Sequence, residues 1–388
     1  MRRLLAIAAV TSLSLSVTAC AGANPLSSGT SDSSGGSSQA HPQVPVGSID
    51  QFRVTEHASF DEGWAMSFLP GTDHLLISER GGSLQLRDQG SGEVVEVGGV
   101  PEVHHAGQAG MHDVIPGPDF ETDGTVYLSW VRDHELGAQG VVGRATLDVD
   151  KASLSGLEVI WEQDPTSGDG HFSLRMLIQE ENLFVTSGDR QKFDPAQDRQ
   201  TNLGAVLRLT LDGDPAPGNP WADEGGKAAE LWTIGHRNPL GIAEDKAGNL
   251  WVSEMGPRGG DELNLLVEGE NYGWPDASMG VHYDGSPIPD HTPGDGFRAP
   301  AEYWAPSISP GSLAIYRGGL FPGWENSALL GGLSGQRLVR VQIDGGEAQT
   351  VEQWDAGERV RAVAEAPDGA VWILEDGDGG RLLELRPA

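Results

Sequence analysis

The stretch PLGIAEDKAGNLWVSEMG, Pro239 to Gly256, holds an apolar run, a turn rich in Asp, Gly and Asn, and a second apolar run ending in a charge. The plan recurs as WAMSFLPGTDHLLISER (Trp64 to Arg80), MHDVIPGPDFETDGTVYLSWV (Met111 to Val131) and RMLIQEENLFVTSGD (Arg175 to Asp189). Two later copies are SLAIYRGGLFPGWENSALLGGL (Ser312 to Leu333) and VRAVAEAPDGAVWILED (Val360 to Asp376). Six copies spread over roughly 340 residues leave about four short strands for each. A four-stranded sheet alone exposes two edges and an unburied face, and radial stacking of such sheets covers the faces. The expected fold is therefore all-β, a six-bladed β-propeller of four-stranded antiparallel blades. A pair of β-sandwiches is the alternative, but no Pro/Ser-rich linker divides the chain after residue 45.

Composition agrees with many short strands between turns: 55 Gly and 24 Pro in 388 residues, with 11 Trp against 5 Tyr. The formal net charge of −32 repels nucleic acid, and no basic cluster offsets it. Such a charge suits a highly soluble exported protein, or one that attracts Ca²⁺ or cationic partners.

The N-terminus MRRLLAIAAVTSLSLSVTAC reads as an export signal, too short for a comfortable membrane span. Val17-Thr18-Ala19 before Cys20, the only cysteine, is similar to a bacterial lipoprotein cleavage box. Cys20 is expected to become the lipidated first residue, anchoring the exported protein to the outer face of the cell membrane. An ordinary signal with an incidental cysteine is the plainer reading. Residues 21–44 are Ser/Gly-rich and read as a flexible linker, so the folded domain is expected over 45–388.

P-loop, HExxH, CxxC and GxSxG motifs are all missing from the chain. DGDGG, Asp376 to Gly380, lacks the helix and terminal Glu of a calcium loop and reads as a turn. Loops around a propeller's channel carry its chemistry, and three stretches suit that place. In SGDGHFSLRMLI, His171 follows a glycine turn, and Asp189 lies 18 residues on at the far end of the same hairpin. Asp189 can therefore hold the His171 tautomer, unless the histidine is merely structural. In TIGHRNPLGIA, Arg237 can stabilise a developing oxyanion or simply be tied to a nearby acid. In GPRGGDELNLLVEGENYGWP, Gly256 to Pro275, two turns bracket an apolar run, so carbonyls and carboxylates can converge on Ca²⁺. A glycine-rich hairpin held by its own hydrogen bonds is the bland reading.

GHRNPLG, EMGPRGGDELNLL and NYGWP, with HFSLR upstream, together resemble the soluble aldose sugar dehydrogenases of the glucose/sorbosone dehydrogenase family. The resemblance runs from about Asp61 to Pro387 and implies pyrroloquinoline quinone (PQQ) on a six-bladed propeller. By that resemblance His171 is the base for the sugar C1 hydroxyl, Asp189 orients it, and Arg237 lies over the quinone carbonyls beside Asn238. Gln108, Tyr283, Arg359 and Arg361 match cofactor-pocket positions, the arginine pair suiting carboxylates. Gly256 and Pro257 match carbonyl donors to a catalytic Ca²⁺, while Glu262 and Tyr272 match ligands of a structural one, with Asp284 added to that set.

One position departs from the family pattern. Ser334 in GGLSGQR stands where the family usually has a lysine, in a chain with four lysines; Arg337 is a possible substitute. The implied reaction is oxidation of an aldose at C1 to the lactone, with electrons passed through the quinone to an external acceptor. A Ca²⁺-dependent lactone hydrolase and a non-catalytic sugar- or protein-binding propeller are the rival readings.

Overall fold

The computed structural model describes residues 44–388. The export signal with Cys20, and the 21–44 linker except its last residue, lie outside the described residues. Among the described residues no helix is long and apolar enough to cross a membrane.

Each sequence repeat becomes the two innermost strands of one blade. Blade 1 is built from Gly63–Phe68, His74–Glu79, Leu84–Asp88 and Val94–Glu96. Blade 2 runs from Met111–Pro116 to Ser153–Glu162, blade 3 from Ser173–Gln179 to Leu231–Ile234, and blade 4 from Pro239–Glu244 to Glu302–Trp304. Blade 5 starts at Pro310–Ile315 and blade 6 at Val360–Glu365. The innermost strands touch in sequence order, and that of blade 6 returns to touch that of blade 1, closing the ring.

The N-terminal segment makes the closure. Phe52–Phe60 pairs antiparallel with Gly380–Pro387, so blade 6 joins both ends of the domain. Val46–Ser48 adds a fifth strand to blade 5, parallel to Glu347–Asp355. Neither pairing was legible in the repeats, since both join segments at opposite ends of the chain.

There is no single central core. Six main apolar clusters sit one between each pair of neighbouring blades, as with Leu76, Leu86, Val114 and Leu128 between blades 1 and 2. This is the expected result when each sheet buries both faces against neighbours.

One irregularity is repeated six times. In every blade the pairing of the first strand to the second slips near the start of the first strand. The residues skipped by the slip include Trp64, His112, Arg175, Leu240, Gly311 and Arg361. A bulge leaves a residue outside the ladder and re-aims it, here toward the channel. Arg175 exploits this: its guanidinium donates to the carbonyls of Trp64 (3.1 Å), Leu240 (3.0 Å) and Gly311 (2.9 Å) and lies 3.5 Å from the Asp113 carboxylate. One buried cation thus ties blade 3 to blades 1, 2, 4 and 5.

Candidate active site

The channel opens at one end into a cleft of about 310 Å³. Its lining includes Trp64, Gln108, Leu240, Met255, Arg359 and Arg361, contributed by loops of several blades. Positive φ without glycine occurs at two of its lining residues, Glu62 and Ser309, and at Ser173, Leu174, Arg190, Gln191, Phe193 and His171 itself, along the segments that carry His171 and Asp189. Such conformations persist only where the surroundings enforce them, and they gather at functional sites.

His171 and Asp189 meet as the hairpin reading required. Ser173 pairs with Ser187, which sets the two strand ends side by side. Gly188 allows the approach, because a Cβ there would stand 2.1 Å from the His171 carbonyl oxygen. His171 Nδ1 lies 2.7 Å from Asp189 Oδ1, and both residues are buried. Asp189 also accepts from the Gln191 amide (2.8 Å) and, at Oδ2, from Trp274 Nε1 (2.8 Å). Both its oxygens meet donors, so the carboxylate holds a proton on Nδ1 and leaves Nε2 free as a base. The His171 amide donates to Gln108 Oε1 (2.7 Å), which fixes the ring from the backbone side. Burial pulls the imidazole below its ordinary pKa and Arg237 adds to the effect, while Asp189 opposes both. The shift favours the neutral ring, the form a base needs.

Arg237 enters from the loop before blade 4. Its Nη1 donates to the carbonyls of Met255 (2.8 Å) and Gly256 (2.7 Å), and Nη2 reaches the Tyr283 hydroxyl at 3.3 Å. Its Nε is buried with no partner among the described residues. Neighbouring Asn238 accepts from the Ser173 hydroxyl at 3.1 Å. Tyr283 stands 71% exposed beside the Arg237 guanidinium, at the rim rather than within the pocket. Arg359 and Arg361 share Asp376, at 2.7 and 2.9 Å, and Arg361 lies over the Trp64 ring. Burial lowers Arg361 to about 10, still charged near neutrality. Ser334 is exposed and shares a 2.7 Å hydrogen bond with Ser309, a cleft residue. Arg337, the candidate substitute, donates through Nε to the Gly335 carbonyl and through Nη1 to the Gln353 side-chain oxygen, both 2.8 Å away.

The glycine-rich stretch is not a simple hairpin. Asp261–Leu265 is the third strand of blade 4, and Tyr272 lies on the long excursion before the outer strand. A side chain at Gly256 would put Cβ 2.1 Å from the Gly260 carbonyl oxygen, so glycine is required there. Asp261 clamps this loop to blade 5 by accepting from the amides of Gly256 (3.0 Å), Ile308 (2.7 Å) and Ser309 (2.6 Å).

Behind the loop lies a small cavity of about 10 Å³, room for one water-sized particle, lined by Arg237, Glu254, Glu262 and Tyr272 among others. Burial raises the Glu262 carboxyl well above its ordinary range, and the neighbouring Glu254 charge raises it further. The Tyr272 hydroxyl is committed to the Leu265 carbonyl (2.6 Å) and the Val267 amide (3.0 Å), so its carbonyl is what remains to offer. Asp284 does not join this group; it is exposed and bonds Ser286. The Gly256 carbonyl, expected to serve a cation with Pro257, is taken by Arg237.

Sequence reading missed Trp274, Glu62, Arg80 and Asp376 as parts of the site. A signal for two of them was present. Arg80 and Asp376 end their repeats where Asp189 ends its own, at the channel mouth, so aligning the repeats by their last residues exposes both.

A sequence profile described as glucose/sorbosone dehydrogenase matches residues 60–384. The aldose sugar dehydrogenase YliI of Escherichia coli is 34% identical over 336 residues, covering 84% of this chain and 90% of that protein. The quinoprotein glucose dehydrogenase B of Acinetobacter calcoaceticus is 28% identical, covering 88% of this chain and 90% of that one. Among solved structures, the apo form of the Escherichia coli soluble aldose sugar dehydrogenase superposes with a TM-score of 0.83 at 33% identity, over 87% of this chain and 100% of that one. The PQQ-bound aldose sugar dehydrogenase of Streptomyces coelicolor superposes with a TM-score of 0.73 at 28% identity, over 86% of this chain and 98% of that one.

Proposed function

We propose, for a chain that belongs to the glucose/sorbosone dehydrogenase family, that it oxidises aldose sugars at C1 to the lactone with PQQ as cofactor. The observation that carries this reading is the buried Trp274–Asp189–His171 relay set beside an arginine-lined cleft. The cleft suits a planar anion. Arg359 and Arg361 face it, and Trp64 Nε1 in its wall is a buried donor with no protein partner among the described residues; the same holds for Nε of Arg237, which borders the smaller acidic cavity. Gln108, Arg237, Asn238, Arg359 and Arg361 would hold the cofactor, with Tyr283 at the rim. When bound, the quinone supplies the acceptor for the two electrons and the hydrogen leaving sugar C1.

The chain's own part is proton transfer and orientation. His171 Nε2 takes the proton of the C1 hydroxyl, and Asp189 steadies the imidazolium that forms. Arg237 supplies positive charge where negative charge develops. Turnover then requires an external electron acceptor, and a lactone leaves.

The Glu254–Glu262 cavity fits a hard cation such as Ca²⁺, whose charge would remove the penalty of burying two carboxylates together. At Gly256 and Pro257 the donor set is not assembled while Arg237 holds the Gly256 carbonyl, so no step is derived through a cation there. Export and lipid attachment at Cys20 belong to the proposal on the N-terminal sequence; labelled fatty acid should enter the chain in cells, and not its Cys20→Ser variant.

The test is reconstitution of the purified protein with Ca²⁺ and PQQ, followed by dye reduction with a panel of aldoses. Reduction that needs PQQ and an aldose supports the reading. Absence of both reduction and retained quinone absorbance after desalting would refute it.

A further inference from the structure

Arg80 is a cleft-lining cation to which the foregoing chemistry gives no task. It follows the second strand of blade 1, next to blade 6, which carries Arg359 and Arg361. Its guanidinium is held from one side only. Nη1 donates to the Gly107 carbonyl and lies 3.5 Å from that of Ala109, while Nη2 pairs with the Glu62 carboxylate. Glu62 is itself steadied by His105 Nε2 at 2.7 Å. Nε of Arg80 has no protein acceptor among the described residues, and it is not among the buried unpartnered atoms. One edge of the fork is therefore available to the cleft.

The charge balance of the lining points the same way. Arg80, Arg359 and Arg361 face Glu62 and Asp376, three guanidiniums against two carboxylates in one cleft. The rest of the lining, Leu240 and Met255 of blade 4 and Ser309 and Leu333 at blade 5, carries no charge. An anion entering this space is drawn to the junction of blades 6 and 1. A guanidinium with a free edge there offers the charge-assisted hydrogen bond that a carboxylate accepts best.

We infer that Arg80 is a third carboxylate-binding arginine of the cleft, completing with Arg359 and Arg361 a cradle for a multiply carboxylated planar ligand, with Glu62 as the carboxylate that competes with the ligand for Arg80 while the Gly107 carbonyl holds it in place. This rests on the reading of the cleft as a PQQ site and adds a residue to it. Arg80 has a positioning task as well. It grips the carbonyls on either side of Gln108, whose side chain holds the His171 amide, so anion binding and base alignment meet in one segment.

The experiment measures PQQ affinity of the full chain in Ca²⁺ by tryptophan quenching, alongside the thermal midpoint without PQQ. Parent, Arg80→Gln, Arg80→Lys and Glu62→Gln are compared. Arg80→Gln should bind roughly tenfold to a hundredfold more weakly, the loss of one charge-assisted contact. Arg80→Lys should fall between that variant and the parent, since charge is kept and the fork is lost. Glu62→Gln should bind severalfold more tightly, because a competing carboxylate is neutralised while the Gly107 carbonyl still holds Arg80. A change in protein stability alone would not move the two variants in opposite directions. An Arg80→Gln affinity within about twofold of the parent at an unchanged midpoint would overturn the inference. If that variant does not fold, Glu62→Gln decides: unchanged or weaker binding overturns it. A parent that binds no PQQ defeats the cofactor reading itself, whereas a parent that binds with Arg80-independent affinity defeats only this inference.

Discussion

Asp189→Asn is the substitution that tests the relay most sharply, because it keeps volume and removes one acceptor. Asp189 Oδ1 accepts from His171 Nδ1 at 2.7 Å and from the Gln191 amide at 2.8 Å, and Oδ2 accepts from Trp274 Nε1 at 2.8 Å. Asparagine has one acceptor oxygen and one donor amide for these three donors. With its oxygen toward His171, the new NH₂ faces the Trp274 N–H. Turned round, the NH₂ faces His171 Nδ1, which can accept only if its proton moves to Nε2. That tautomer has no base at the cleft. The buried donor conflict should cost about 1–3 kcal/mol of stability. The tautomer loss should lower kcat by roughly 10³- to 10⁴-fold, by analogy with a serine-protease triad, equivalent to about 4–5 kcal/mol of barrier. The assay is steady-state oxidation of an aldose at saturating PQQ, with cofactor affinity measured separately. Affinity should change little, since the carboxylate faces the histidine rather than the cleft. A folded Asp189→Asn protein whose kcat stays within about tenfold of the parent would refute the relay.

Four further outcomes are expected. The acid limb of kcat/KM should lie below the ordinary histidine value of about 6.5, since burial lowers His171 and a base with a lowered pKa stays neutral to lower pH; a limb above pH 7 contradicts it. Burial also pushes His112 down to about 3, so the unfolded chain takes up a proton that the folded one refuses. Its contribution is complete above the unfolded pKa and falls as pH drops from about 6.5 toward 3, and urea midpoints of His112→Gln should decline less between those limits than those of the parent. Arg175→Met removes the donors to three carbonyls and leaves Asp113 unpaired, with an expected loss of about 3–5 kcal/mol; a loss under about 1 kcal/mol by urea unfolding would remove Arg175 as the tie between blades. Saturating Ca²⁺ at about a hundredfold above its Kd should stabilise the protein by about 2.7 kcal/mol, and Glu262→Gln should abolish that gain in a thermal shift assay if the acidic cavity is the site.

The chain's sequence by itself determined the parts of this protein that depend on near neighbours. Alternating apolar runs separated by turn residues specify two adjacent strands in each of six repeats, and those became the inner halves of all six blades. The His171–Asp189 pair was legible for the same reason, because 18 residues of hairpin bring its ends together without help from the rest of the fold. Tertiary structure decided everything that needs the ring. Gln108 reaches His171 across 63 residues, Trp274 reaches Asp189 across 85, and Arg175 reaches Gly311 across 136. These partners meet only when blades pack side by side, and no local pattern records which loop will stand opposite which. Asp284, three residues past the strand Gly280–Val281, shows the converse: it follows the expected ligands in sequence yet lies on the exposed surface. The cleft's charge is likewise a property of assembly. Arg80, Glu62, Arg361 and Asp376 come from both ends of the chain, and they become one electrostatic unit only because Phe52–Phe60 closes blade 6 beside blade 1.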